Sequence, residues 1–427
     1  MVRDLKKNLA ELVGEGIISP ETEKNILDYY ANKPSPIKDR LLLVFGILGS
    51  LLVGMGLILI IAHNWDELSR EIKTFLSFLP LVAGQFMGFW ILWKKPDLVV
   101  WREGLAVFIF FSVGACLSLV SQVYHIPGEL SSFLSTWMWI ILPLFYLLRS
   151  SFGSLLFLVG ITWYAYELGY AQYPDEVPYF YLLFLLLALP YYIQLIRNNP
   201  DGNFSRFHHW GMALSLTLTL GAFSENYDAY LFLTYISLFG VFMFLGNASW
   251  GPHKNSNKAY LIVGYGGTFF ILYLLSFRWY WEEMVSRSHS LEPLFQSPEI
   301  ILSMVLVVLA LVIFGFRKKI FGPAPFRLEE FIFIFFIPML WIGHFHEVLP
   351  VILVNLLILG MGILFLIRGS SQDHLGILNF GLALMAILVA CRFFDSHWSF
   401  VVRGLLFVGV GTMFFVFNFY QVKKRKK

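Results

Sequence analysis

Two arginines near the C-terminus are the side chains in this sequence best suited to binding an anion. Arg392 and Arg403 lie at or inside apolar runs, where inserting a charge costs on the order of 2.5–3.5 kcal/mol. The planar guanidinium group matches a phosphate or a carboxylate, so one interpretation is a basic pocket for such a group. Pairing with Asp395 or Glu167, and extension of the side chains to the membrane interface, are the alternatives.

Polar and aromatic residues at the ends of other apolar segments could orient the same anion or exchange protons with it. Histidine titrates near neutral pH, so His63 is a candidate proton acceptor and Glu167 is a second one. The predicted substrate-binding set comprises Arg392, Arg403, Gln122, Tyr124, His125, His63, Asn64, Trp65, Glu167, Asp395 and Trp398.

Residue spacing argues against a metal site, a cofactor or a familiar nucleophile. His344 and His346 are two residues apart, which places their rings on different faces of a helix, and the zinc pattern HExxH is absent. Phosphate-binding glycine loops and a serine nucleophile elbow are absent as well. Adjacent carboxylates such as Glu329 and Glu330 do not converge on one atom, and we expect them to be solvated loop residues. An enzyme is therefore the less favoured class of protein.

The composition requires lipid as the surrounding solvent. Of the 427 residues, 58% are hydrophobic and 14% are charged, whereas a soluble domain has about 25% charged residues. A soluble chain this apolar would lack the polar surface to cover its core. The composition predicts an all-α, polytopic transmembrane helical bundle that does not bind nucleic acid.

Apolar runs recur along the chain and predict about fourteen spans. The predicted spans cover residues 41–62, 72–93, 104–123, 131–148, 152–170, 179–196, 208–223, 228–246, 259–279, 299–316, 328–343, 349–367, 375–393 and 399–420.

The distribution of basic residues predicts which side each loop occupies. With the N-terminus in the cytoplasm, 25 of the 31 Lys and Arg residues fall on the inner side and 6 on the outer side. Such an excess on the cytoplasmic side is what the positive-inside rule requires. Both termini are therefore predicted to be cytoplasmic. We call the helix ends assigned to the cytoplasm the inner ends and the opposite ends the outer ends.

Three regions follow from this pattern. Residues 1–40 are predicted to form a small cytoplasmic helical cap with a linker, 41–420 the transmembrane domain, and 421–427 a basic tail. The cap contains a Ser19-Pro20 helix start and is a candidate binding site for a cytoplasmic protein. Membrane lipids are the other expected partners.

Paired glycines occur in the middle of several predicted spans, as in Gly264-Tyr265-Gly266 and Gly360-Met361-Gly362. Small residues let membrane helices approach closely, and we interpret the pairs chiefly as packing positions. Helix breaks along a substrate path are the alternative.

Several N-terminal stretches resemble the "domain of unknown function 2157" family of bacterial membrane proteins. They are residues 14–19 (GEGIIS), 62–65 (AHNW), 121–128 (SQVYHIPG) and the run from Trp139 to Ser150. The resemblance covers roughly the first 170 residues, and a weaker one to related bacterial membrane proteins covers residues 398–404. It implies a bacterial inner-membrane protein and adds no activity.

Three functional hypotheses remain open. The first is transport or flipping of an anionic amphipathic or lipid-linked substrate through a cavity facing the periplasm. The second is a membrane enzyme acting on a lipid carrier at the periplasmic face. The third is a non-catalytic scaffold or sensor that works through residues 1–40.

Overall fold

The computed structural model describes most of the chain, and the predicted helical architecture is confirmed. The described residues are 9, 11–32, 36–63, 67–95, 97–171, 176–224, 228–247, 258–287, 298–321, 327–394, 399–401, 404, 405, 407–409, 411, 412 and 415. Their helices, in chain order, are α1 (Pro20–Asn32), α2 (Pro36–His63), α3 (Arg70–Lys94), α4 (Val99–Tyr124), α5 (Leu130–Leu148), α6 (Ser151–Tyr166), α7 (Tyr179–Asn198), α8 (Asn203–Thr219), α9 (Asp228–Gly246), α10 (Lys258–Leu275), α11 (Arg278–Arg287), α12 (Pro298–Phe321), α13 (Ile332–Gly343), α14 (Val348–Ser371) and α15 (Leu375–Phe394).

The first thirteen predicted spans coincide with these helices and the short turns next to them to within five residues at each end, and much of the fourteenth, 399–420, lies outside the described residues. A π-helical turn, Glu167–Ala171, extends α6, and 3₁₀ turns at Leu220–Phe223 and Leu328–Phe331 complete the spans that contain α8 and α13. Most described residues from 400 to 415 are helical too. Nine of the described helices are long and apolar enough to cross a membrane.

Local sequence signals set several helix ends. Helix α2 begins at Pro36, five residues before the predicted span, because proline suits the first helical turn, where its missing N–H is not needed. Ser69 caps α3 by accepting a hydrogen bond from the Ile72 N–H at 3.5 Å. Helix α4 ends where His125 adopts a left-handed conformation with φ 52°.

The first compact unit comprises residues 1–127 and 143–153. Within it, α4 packs against both α2 and α3. Glycines allow this approach: a Cβ at Gly84 would lie 2.9 Å from Ile109, and one at Gly104 would lie 3.0 Å from the Ser50 hydroxyl.

A buried carboxylate in the first unit caps a helix that follows it by almost fifty residues. Glu103 of α4 is 2% exposed and accepts hydrogen bonds from the Ser151 N–H at 2.8 Å and the Phe152 N–H at 2.9 Å. The Ser150 hydroxyl donates to the same carboxylate. Glu103 thereby satisfies N–H groups that the first turn of α6 would otherwise leave unpaired.

The second compact unit comprises residues 128–142 and 154–427. Helix α9 lies at its centre and packs against α10, α12 and α13, and no residue from 230 to 246 is exposed. Helices α14 and α15 pair closely. Other helices of the chain present large apolar side chains on their surfaces, as at Phe86 and Leu186, which lipid would cover.

Candidate functional site

A cavity of about 630 Å³ lies in the second unit, between α10, the 3₁₀ turn that precedes α13, and the α14–α15 hairpin. The volume lies within the range of about 300–1,000 Å³ typical of small-molecule sites. By the charge pattern, this is the inner end of the helices. The lining residues are Leu261, Ile262, Tyr265, Gly266, Arg327, Glu329, Phe365, Arg368, Gln372, His374, Gly376, Ile377 and Phe380. We call this space the inner cavity.

An ion pair forms one wall of the inner cavity. Arg368 Nη2 donates to Glu329 Oε2 at 3.2 Å, and Nη1 donates to Oε1. The Tyr265 hydroxyl also donates to Oε1, at 3.3 Å. The Glu329 side chain is fully buried, whereas that of Arg368 is 23% exposed. The guanidinium group therefore neutralises the carboxylate and still borders the cavity.

A second carboxylate next in sequence is held by a different set of partners. The Glu330 Oε1 atom accepts a hydrogen bond from Asn247 Nδ2 at 2.7 Å, and Arg327 Nη1 donates to Asn247 Oδ1 at 2.6 Å. Glu330 is as buried as Glu329 but does not line the cavity, whereas Arg327 does. Arg327 therefore brings a second guanidinium group to the inner cavity.

Aromatic side chains line the cavity next to this ion pair, and the Arg368 guanidinium lies 5.8 Å from the Phe365 ring. The rings of Phe365 and Phe380 lie 5.2 Å apart, and each is about 6 Å from the ring of Tyr265. Ile262, 56% exposed, borders the same space. The inner cavity thus joins a cationic side to an apolar side, an arrangement suited to an amphipathic anion.

The turn between α14 and α15 positions two further polar side chains. Asp373 adopts a left-handed conformation with φ 49°, and the chain reverses so that the His374 N–H donates to the Gly369 carbonyl at 2.9 Å. His374 Nδ1 then accepts from the Ile377 N–H at 3.3 Å and caps α15. The reversal leaves His374 and Gln372 bordering the inner cavity.

The expectation that Glu329 and Glu330 are solvated loop residues is wrong, because both are fully buried. Their counter-charges and amide partners come from elements 39 to 83 residues away in sequence. The sequence did contain a signal: acidic residues directly precede an apolar segment, with Arg327 beside them and Arg368 at the end of the next span on the inner side.

The predicted residues of the first unit lie near the outer end of α4. The ring of Tyr124 lies under the Arg70 guanidinium at 4.5 Å, and its hydroxyl is 3.2 Å from the Thr74 hydroxyl. Gln122 and His125 are exposed there. These contacts join Tyr124 to α3.

The predicted residues of the second unit occupy separate elements. Arg392 is 3% exposed, stacks on Phe277 at 4.4 Å and donates from Nη2 to the Ser276 hydroxyl at 3.0 Å. Its burial is at odds with the interpretation in which this side chain extends to the membrane interface. Glu167 lies on the π-helical turn after α6 and is partly exposed.

The remaining predicted site residues fall outside the described part of the structure. They are the side chain of His63 and the residues Asn64, Trp65, Asp395, Trp398 and Arg403. Their grouping with the outer-end residues stays a prediction.

The glycine pairs combine two roles. A Cβ at Gly264 would lie 3.1 Å from the Phe239 carbonyl, and one at Gly362 would lie 2.7 Å from Met385, as expected for packing positions. The partner glycines Gly266 and Gly360 face open space, and Gly266 lines the inner cavity.

A separate buried polar chain connects α7, α8 and α10. The Tyr192 hydroxyl lies 2.6 Å from both His209 Nδ1 and the Tyr260 hydroxyl. All three side chains are buried. Tyr192 is therefore the shared partner of His209 Nδ1 and the Tyr260 hydroxyl.

Comparison with known proteins bears on the N-terminal region. Residues 10–154 match the family model described as "Predicted membrane protein (DUF2157)". No curated protein and no solved structure matches the chain. The match covers about a third of the 427 residues and ends before the first residue that lines the inner cavity. The N-terminal third of this membrane protein therefore matches the DUF2157 family, as the resemblance of its sequence predicted.

Proposed function

We propose that this membrane protein transports or flips an anionic amphipathic substrate, and that the inner cavity binds it. The observation that carries the proposal is the pairing of a cationic side, from Arg327 and Arg368, with an aromatic side. Among the described residues, Glu329 is the carboxylate that borders the same space. The cavity therefore favours a ligand with a negative head and an apolar body.

The chemistry of the cationic side favours phosphate, sulfonate or carboxylate. A guanidinium group presents five donors in a fixed plane and binds such groups through paired hydrogen bonds. Arg368 uses part of this set on Glu329 and still borders the cavity. A substrate head that meets Arg368 and Arg327 together would gain charge-assisted bonds that a neutral head cannot form.

The apolar side would hold the body of the substrate. Phe365 and Phe380 offer ring faces and edges, and the exposed Ile262 continues the apolar surface outward. A molecule with one acyl or isoprenoid chain could bury that chain here with a gain of about 25 cal/mol per Å² of apolar surface.

We propose a second contact point for the anionic substrate at the outer ends of the helices. Arg392 is held by Ser276 and Phe277 near the outer end of α15. We propose that Arg392, together with Arg403, receives the anion at the outer side.

Filling the inner cavity tests the proposal directly. A Cβ at Gly266 meets no atom within 4 Å, so Gly266→Phe places a ring in the cavity without a backbone clash. Gly360 on α14 also faces open space but does not line the cavity, and Gly360→Phe is the matched control. Both variants and the wild type would be reconstituted in vesicles with fluorescently labelled phosphatidylglycerol, and translocation followed by dithionite quenching.

We expect wild-type and Gly360→Phe vesicles to translocate the probe faster than protein-free vesicles. Gly266→Phe should slow the rate about tenfold, equivalent to a loss of about 1.4 kcal/mol. Equal rates for the two glycine variants, or a wild-type rate equal to that of empty vesicles, would overturn the proposal.

A further inference from the structure

Glu329 is an acidic residue that lies beside Arg368, the group proposed to bind the anion in the inner cavity. Its carboxylate accepts from Arg368 of α14 and from Tyr265 of α10. Among the described residues, the other charged or titratable groups around it are Arg327, which precedes its turn, Glu330 of the turn, and His374 of the hairpin. Arg368 is the group that forms an ion pair with it.

A bound anion and Glu329 compete for the same guanidinium group. An anion that takes the Nη donors of Arg368 leaves the Glu329 carboxylate without its counter-charge. Because that carboxylate is fully buried, keeping it ionised without a partner is strongly unfavourable. A proton from water that adds to the Glu329 carboxylate removes the conflict, and the resulting O–H can donate to the anion or to the Tyr265 hydroxyl.

We propose that the inner cavity binds its anion together with one proton, and that Glu329 is the residue that carries this proton. This inference rests on the proposed function of the cavity and names the ion coupled to it. Charge is balanced because the anion and the proton enter the cavity together. Arg368 exchanges its ion pair with Glu329 for one with the bound anion. Transport of the substrate would then draw on a proton gradient.

The sign of the pH dependence follows from linkage. Because the anion-bound form carries one more proton than the free form, affinity is highest at low pH. Affinity falls by up to tenfold per pH unit over the range in which Glu329 is protonated in the complex and ionised in the free protein, and it becomes constant once Glu329 is ionised in both. Glu329→Gln mimics the protonated side chain and frees Arg368. This variant should bind an anion at pH 8 at least as tightly as the wild type does at pH 5, with no dependence on pH between them.

Two matched variants separate Glu329 from its neighbours. Glu330 is adjacent and equally buried but bonds to Asn247 outside the cavity lining, so Glu330→Gln should keep the wild-type pH dependence. His374 lines the cavity and could itself gain a proton beside an anion. His374→Gln should therefore retain most of the pH dependence if Glu329 carries the coupled proton.

The test is calorimetric titration of the purified full-length protein and these variants with octanesulfonate, whose charge is constant from pH 5 to 8. Empty detergent micelles give the reference heats. Repeating the titration of His374→Gln in buffers of different ionisation enthalpy counts the protons taken up, a measurement that does not require the Glu329 variant to fold. We expect about one proton per anion.

The outcomes distinguish the coupling from the proposed function. No binding of octanesulfonate by the wild type overturns the proposed anion site itself. Binding without proton uptake by His374→Gln overturns the coupling and leaves the anion site standing. A Glu329→Gln protein that binds with the same pH dependence as Glu330→Gln also overturns the role of Glu329.

Discussion

Removal of the Glu103 carboxylate should destabilise the first unit strongly, because this one side chain accepts several hydrogen bonds. The three hydrogen bonds it accepts come from the Ser150 hydroxyl and from the N–H groups of Ser151 and Phe152. In Glu103→Ala, all three donors lose their acceptor at a site that is 2% exposed. The first turn of α6 has no other acceptor from the helix itself.

The magnitude follows from the number and kind of these bonds. Hydrogen bonds to a charged group contribute about 1.5–3 kcal/mol each, so three give an upper sum of roughly 5–9 kcal/mol. Bonds to one carboxylate are not independent, and each buried donor left without an acceptor costs about 1–3 kcal/mol. We expect a loss of about 3–5 kcal/mol for Glu103→Ala.

The assay is thermal unfolding of the purified protein in detergent, with Glu71→Ala as the matched control. Glu71 also lies at a helix start and accepts from a serine hydroxyl, at 2.9 Å from Ser69, but it is exposed. We expect the Glu103 variant to unfold several degrees below the wild type and the Glu71 variant to be close to it. If both variants unfold at the wild-type temperature, the reasoning about the buried cap is refuted.

Four further substitutions test other contacts, and a fifth serves as a control. Tyr192→Phe leaves a tyrosine hydroxyl and an imidazole nitrogen without their shared partner, and should cost about 1–3 kcal/mol for each group, measured as a lower unfolding temperature. In Gly381→Ala, the new methyl group would lie 2.8 Å from a backbone carbonyl of α14, so unfolding should become easier by about 1–3 kcal/mol. Gly360→Ala, which meets open space, should show no such loss. Arg392→Ala and Arg403→Ala should each slow translocation of labelled phosphatidylglycerol from the outer side in vesicles, and unchanged rates would remove the outer contact point from the proposal.

The helices could be predicted from sequence because each membrane span is a contiguous apolar run. The run before Arg149 and the run after it, for example, become α5 and α6 with boundaries close to those predicted. Charge supplies a second, independent pattern, since basic loops are retained on one side. Both signals are local and need no knowledge of which helices touch.

The inner cavity could not be predicted in this way, because its walls come from elements that meet only after folding. Leu261 and Phe380 border one space although more than a hundred residues separate them. The local signal at Glu329, an acidic residue near Arg327 and just before an apolar segment, does not identify Arg368 as its partner. The sequence favoured polar residues at the outer ends, whereas the described cavity draws its charges from the inner ends.

Helix α9 is enclosed by segments that the ribosome makes after it. Its neighbours α10, α12 and α13 end at residue 343, about a hundred residues beyond Gly246. At about 5–20 residues per second, the flank that α13 will cover faces lipid for roughly 5–20 seconds before that helix is complete. Lipid tails are as apolar as leucine, so the bilayer itself can shelter α9 during this interval, and a chain that stops before residue 332 would leave one flank in contact with lipid permanently.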